Sequence, residues 1–217
     1  MGNRQVGWTA ALALAVSGPA ATGGTVPGGP ERAEEAGRVV QAADAASQEA
    51  GARLERRLIE ILQNAGEPSS EVRLTPLPEP DVNAYLAHQA VPHLPVGIQA
   101  PVVRIGEDSL SAEAVIDLDA IRDSRERAGF DPVQFLGGRL AVTASGRIRS
   151  GGGVARLEVE TVTVGGIRVP VEVLQELVRY FTRTPDQPEG TSLDAPIPLP
   201  YGITELRLTP GLAVIVQ

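Results

Sequence analysis

Apolar and polar positions change period several times along the chain, and each change marks an element. From Glu31 to Asn64 there is no proline, and Val39, Ala43, Ala46, Ala50, Leu54, Leu58 and Ile61 recur at steps of three or four, the period of one helix face. Leu54, Leu58, Ile61 and Leu62 make the second half firmly amphipathic. The small-residue half, with Gly37 and Gly51, is expected to fray or face solvent. Asn64-Ala65-Gly66 ends this helix and Pro68 enforces the stop.

Glu71 to Thr75 alternates like a short strand, and Asp81 after Pro80 is placed to cap a helix through Asn83, Tyr85, Leu86 and Gln89, closed by Pro92 and Pro95. Ala100–Ile105 and Ser109–Asp117 then flank Gly106-Glu107-Asp108 as a hairpin. In its second arm Leu110, Ala112, Ala114 and Ile116 face one way and Ser111, Glu113 and Asp117 the other. A polar helix is expected over Leu118–Ala128. A second hairpin pairs Gly138–Arg149 with Val154–Val164 through Ser150-Gly151-Gly152-Gly153. Leu140, Val142 and Ala144 alternate with Arg139, Thr143 and Ser145 on one arm, as do Leu157 and Val159 with Arg156, Glu158 and Glu160 on the other. Gly165-Gly166 turns the chain into Ile167-Arg168-Val169. Pro170 then opens a helix to about Thr182 with Leu174, Leu177, Val178 and Phe181 on its apolar face. A third hairpin, Thr204–Leu208 with Leu212–Val216, closes the chain. Its last arm is apolar on both faces, which fits a central strand or one facing an apolar ligand.

These elements predict an α+β fold: a curved antiparallel sheet of about three hairpins packed on an amphipathic helix, preceded by an N-terminal Ala-rich helix. Before that helix, Arg4, the apolar run Trp8–Val16 and the small residues Ser17–Ala21 read as a secretory signal cleaved after Ala20. The run is about half the length that a membrane-spanning helix requires. The expected organisation is a signal peptide over 1–20, a Gly/Pro-rich linker over 21–30, the Ala-rich helix over 31–66 and one domain over 67–217. The mature chain is then expected to be periplasmic or secreted.

Composition narrows the chemistry. All 19 basic residues are Arg, and Lys and Cys are absent, which removes Schiff-base and thiol chemistry, disulfides and thiolate metal sites. The formal charge is -8 and no long segment is net positive, so nucleic acid is not an expected partner. His88 and His93 are five apart with Pro92 between them, the wrong geometry for a helical metal pair. Asp117-x-Asp119 has carboxylates suited to a hard cation, but Asp119 also stands where a helix starts, and capping is the simpler role. Ser145 lies within a strand and not at a nucleophile elbow. Glu158 and Glu160 share a solvent face, and Gly151–Gly153 lacks the following helix and Lys of a phosphate cradle, reading as a flexible hairpin tip. Arg122, Arg125 and Arg127 alternate with Asp123 and Glu126 as a solvated face that a headgroup phosphate could also meet. No cofactor, metal site or catalytic set is expected.

Four segments from Glu71 to Gln217 carry a resemblance. They are Asn83-Ala84-Tyr85-Leu86 after a short strand, Leu94-Pro95 leading into long hairpins, Gly165-Gly166-Ile167-Arg168-Val169-Pro170 before an amphipathic helix, and Leu199-Pro200-Tyr201-Gly202-Ile203 before the last hairpin. In this order they resemble bacterial envelope proteins related to the tubular lipid-binding superfamily. The resemblance implies a curved sheet around a helix with an apolar channel for an acyl chain, and it sets the Pro170 helix against the sheet. The leading expectation is therefore a non-catalytic lipid-binding or lipid-transfer protein. Its expected tail-binding residues are Leu110, Ile116, Leu140, Val142, Leu157, Val159, Leu174, Leu177, Val178, Phe181, Val214 and Val216. Transient membrane contact is a further expectation. The alternatives are a solidly packed envelope assembly module whose partner docks on residues 31–64, and a hydrolase or transferase built on Asp117 and Asp119.

Overall fold

A computed structural model describes residues 30–66, 71–123, 137–183 and 187–217. The expected signal segment, most of the linker, and Arg125 and Arg127 lie outside the described residues, as do the side chains of Tyr180 and Phe181. The fold is α+β. Helix α1 spans Pro30–Asn64, and β1 (Leu74–Pro78) leads directly into α2 (Glu79–Ala87). The hairpin β2 (Ile98–Gly106) and β3 (Ser109–Asp117) precedes α3 (Leu118–Asp123). The hairpin β4 (Arg139–Gly151) and β5 (Val154–Val164) is followed by β6 (Ile167–Arg168), α4 (Val171–Thr182), β7 (Ile197–Pro198), β8 (Glu205–Thr209) and β9 (Leu212–Val216). No helix among the described residues is long and apolar enough to cross a membrane.

The three predicted hairpins form, but they do not share one sheet. The strands β2-β3-β4-β5-β6 make the larger antiparallel sheet, with β7 also on β5, whereas the last hairpin joins β1 in a separate sheet of order β1-β9-β8. The all-apolar β9 is thus central, as its sequence suggests. The strand expected over Glu71–Thr75 lies three residues later because two prolines are tolerated there. Arg73 and Gln217 exchange both backbone hydrogen bonds, at 2.9 and 3.0 Å, so Thr75 and Leu77 fall on bonded positions of the ladder. Pro76 and Pro78 take the alternate positions, whose N–H would point away from β9; at a sheet edge their missing donors cost nothing and discourage further pairing.

Helix α1 is integral to the fold. Ala50, Leu54 and Ile61 are buried, and Leu54 packs in one cluster with Leu77, Ile105, Leu208 and Ala213. Residues 41–46 are exposed, in line with the small-residue half. Gly51, expected to fray or face solvent, is instead buried. A Cβ there would lie 2.1 Å from Gln89 Oε1 and 3.1 Å from the Ala84 carbonyl carbon, so this glycine permits the close approach of α2. Asp81 is not the cap of α2. It is buried and accepts hydrogen bonds from Arg53 at 2.9 Å and Arg57 at 3.3 Å, tying α2 to α1, while Pro78 occupies the N-cap position without a side-chain bond.

Candidate functional site

The larger sheet turns one face inward, and its register determines what that face contains. Val103, Ala112, Ala144 and Val162 align across β2 to β5 in one row, and Ile105, Leu110, Gly146 and Val159 in the next. Ala112 on β3 and Ala144 and Gly146 on β4 thus leave the middle of the face low, with the larger aliphatic Val103, Ile105, Leu110, Val159 and Val162 around them. Between Ser145 and Gly146 the β4–β5 register slips and Glu160 becomes an extra residue, a bulge that bends β5 beside the same row. The bulge requires glycine: a Cβ on Gly146 would lie 2.6 Å from the Glu158 carbonyl oxygen and 3.2 Å from Val159 Cα, both backbone atoms.

A hollow of about 420 Å³ lies over these small residues. Ala112, Ala144, Gly146 and Ala155 supply its small lining groups; β2 contributes Pro101, Val103 and Ile105, α2 contributes Val82 and Leu86, and the smaller sheet contributes Leu77, Leu206, Leu208 and Ala213. Ser145 and Arg156 are the only lining residues with a polar side chain. The volume falls in the usual range for small-molecule sites, about 300–1,000 Å³. It is nearly three times the roughly 150 Å³ of an apolar cavity that takes up benzene. With so few polar groups, an apolar ligand would displace water without leaving buried donors or acceptors unpaired.

The helix that holds this site is α2, and sequence reasoning assigned it no such role. Asn83 Nδ2 donates to the Val103 carbonyl at 2.8 Å and Asn83 Oδ1 accepts from the Val103 N–H at 2.7 Å. One amide side chain thereby stands in for a neighbouring strand at the edge of β2. Glu79 accepts from the Ile105 N–H at 2.6 Å. These bonds set Val82 and Leu86 over the end of the inward face.

Of the residues expected to hold a tail, Leu110, Leu157 and Val159 line the hollow. Val142 belongs to a packed cluster with Ala112, Ala144 and Val162, against which Ile116 and Leu174 also pack. Leu140 is half-buried opposite Ile116. Leu177 is 45% exposed on the outer side of α4 and Val178 half-buried, while Val214 and Val216 belong to β9 and do not line the space; Phe181 lies outside the described side chains. The apolar space therefore lies between α2 and the two sheets and not beneath the Pro170 helix. That helix covers the other end of the inward face through Leu174 and leaves Val173 and Leu177 exposed.

The other candidates have structural roles. Asp117, not Asp119, caps α3: its Oδ1 accepts from the Ala120 N–H at 3.0 Å, and its Oδ2 accepts from Arg139 at 3.1 Å and Gln99 at 3.2 Å. The Ala120 amide and then the Arg139 guanidinium hold the Asp117 carboxyl below its ordinary pKa. Asp119 accepts from the Gly138 N–H at 2.8 Å and pairs with Arg122 at 2.8 Å. The described residues contain no group of three His, Asp or Glu side chains placed to hold a metal. His88 Nε2 lies 3.0 Å from Ser47 Oγ on α1, and His93 is exposed. Glu158 and Glu160 pair on the outer face with Arg149 and Arg147. The β4–β5 tip is anchored, not free: the Gly153 N–H donates to the Thr204 carbonyl at 2.9 Å and its carbonyl accepts from the Leu199 N–H at 2.8 Å.

No family model matches the chain, and no curated protein or solved structure matches it either.

Proposed function

We propose that this protein binds an acyl chain or a similarly slender apolar group in the hollow between α2 and the two sheets, and holds or carries it without transforming it. The observation that carries this reading is the apolar hollow of about 420 Å³ built over Ala112, Ala144, Gly146 and Ala155. Each tail methylene removed from water contributes on the order of 0.8 kcal/mol, so even a partly enclosed chain is held without a polar clamp. The signal-like start at residues 1–20 supports a site of action beyond the inner membrane, where apolar molecules need a carrier through water. The Asp117 and Asp119 carboxylates already serve a helix cap, a loop amide and two arginines, which favours binding over a reaction at that pair.

The test has two arms. The purified mature protein is extracted with organic solvent and the extract analysed by mass spectrometry, and the delipidated protein is titrated with a fluorescent fatty acid. Stoichiometric lipid together with saturable uptake is expected. Trace lipid with no uptake would overturn the reading.

A further inference from the structure

We infer that the segment Val91–Val96 is the surface through which this protein meets a lipid bilayer with zwitterionic headgroups, and that the acyl chain passes between bilayer and hollow beside Leu94. The inference rests on the acyl-chain reading above and assigns the place where the same site takes up its ligand. Leu94 lines the hollow and is half-buried, so the apolar lining reaches the surface there. On either side of it in the chain, Val91 and Val96 are 55% and 58% exposed, and Pro92 and Pro95 are exposed beside them.

The composition and the backbone of this segment both suit a lipid interface. Residues 82–103 contain no Asp, Glu, Lys or Arg, in a chain that is 21% charged. Backbone donors need partners wherever water is excluded. Here Pro92 and Pro95 carry no N–H, while His93 donates to the Ala90 carbonyl at 2.8 Å, Leu94 to that of Val91 at 3.4 Å and Ile98 to that of Pro95 at 3.1 Å. These amides keep their bonds when the 3-10 turn Val91–His93 enters the headgroup region. Nearby polar side chains are engaged with other elements: His88 with Ser47 at 3.0 Å, Gln89 with the Gln48 carbonyl at 3.3 Å and Gln99 with Asp117 at 3.2 Å. His93 is the one polar side chain within the segment itself.

The surrounding charge selects the kind of bilayer. The stretch of α1 bonded to His88 and Gln89 carries Asp44 and Glu49 and no Arg over residues 41–52. Helix α3, whose Ile121 lies against Gly97, carries Asp119 and Asp123 around the single Arg122. Acids outnumber bases on both elements, which disfavours an anionic lipid surface. The other exposed apolar strip, Val173 and Leu177 on α4, is interleaved with exposed Glu172 and Glu176 and does not line the hollow. Lipid contact there would bring two carboxylates to the interface and give the tail no way in.

The experiment floats the delipidated mature protein with phosphatidylcholine vesicles, and with vesicles that also contain phosphatidylglycerol, and follows transfer of a fluorescent fatty acid from vesicle to protein. The wild type is expected to float with phosphatidylcholine and less with phosphatidylglycerol present. The double variant Val91→Asp, Val96→Asp is expected to lower flotation and transfer rate by at least about tenfold, the effect of withdrawing two half-exposed valines from the interface. Its urea midpoint and its affinity for the same fatty acid added from solution are expected to be kept, since both valines are exposed and neither lines the hollow. The double variant Val173→Asp, Leu177→Asp is expected to float and exchange like the wild type. A loop variant that floats and exchanges normally, a loss that appears in the α4 variant instead, or flotation only with phosphatidylglycerol overturns the inference. Uptake from solution by a wild type that does not float overturns the bilayer contact alone and leaves the acyl-chain reading intact. No uptake from solution by the wild type defeats both.

Discussion

The same substitution at two neighbouring positions of the inward face separates a hollow from a filled core. Ala144 and Ala114 both point inward and both are nearly inaccessible, at 5% and 0% exposure, but only Ala144 lines the apolar space. Ala144→Leu adds three carbons that can enter the hollow. At ~0.8 kcal/mol per buried carbon, less ~0.5–1 kcal/mol for the ordered leucine side chain, the variant should be more stable than the parent by about 1–2 kcal/mol. Ala114→Leu places the same carbons at a fully buried position that does not border the hollow, and overpacking costs about 1–3 kcal/mol. The two variants should therefore shift in opposite directions from the parent and differ from each other by about 2–5 kcal/mol. Urea unfolding reads this as a shift in midpoint at constant slope. Ala144→Leu should also reduce uptake of the fluorescent fatty acid while Ala114→Leu, where folded, keeps it. If Ala144→Leu is destabilised as much as Ala114→Leu, the space is a packed core and the reasoning behind the proposed function is refuted.

Three further outcomes are expected. Asn83→Leu strips the Val103 N–H and carbonyl of their partner and bares the edge of β2, costing about 2 kcal/mol and promoting self-association, read by urea unfolding and by size-exclusion chromatography across concentrations. An unchanged midpoint and a constant elution volume would show that the amide bridge is dispensable. Gly146→Ala forces a methyl against the β5 backbone at Glu158 and Val159, and a loss of about 1–3 kcal/mol is expected; a neutral result would mean that the bulge relaxes freely. The folded Asp117 carboxyl titrates below its unfolded value, so its charged form stabilises the fold above the ordinary carboxylate pKa, and this contribution is lost as the pH falls through the lower folded pKa. Asp117→Asn should accordingly be less stable than the parent at neutral pH and converge with it in acid. A stability difference that is independent of pH would disprove the charge's role.

Much of the architecture was legible because local periodicity reflects burial. The alternation of Leu110, Ala112, Ala114 and Ile116, the diglycine at 165–166 and the heptad-like spacing of Leu54, Leu58 and Ile61 each mark an element whose inward side is apolar. The strand at Leu74–Pro78 was misplaced because proline is a reliable breaker except at a sheet edge, and edge position depends on which strand pairs with which. Asp81 and Gly51 were misread for a related reason. Their roles are set by Arg53, Arg57 and Ala84 on the facing helices and by Gln89 in the turn after α2, at sequence separations no local pattern reports.

The candidate site illustrates the same division. Leu110, Leu157 and Val159 could be found from strand alternation, because an inward aliphatic residue is a candidate lining residue wherever the sheet faces an apolar space. The signal for the hollow itself was the small size of inward Ala112, Ala144 and Gly146, which a search for large aliphatic side chains passes over. The order of residues thus determined the α+β class, the hairpins, the chemistry removed by the absence of Lys and Cys, and the acidic surface. Only the tertiary structure decided that small residues on adjacent strands align in one region and that α2 rather than the Pro170 helix borders the resulting space. A side chain's period is a property of its own strand, whereas a cavity is a volume left between elements, and its existence depends on register and packing between residues far apart in the chain.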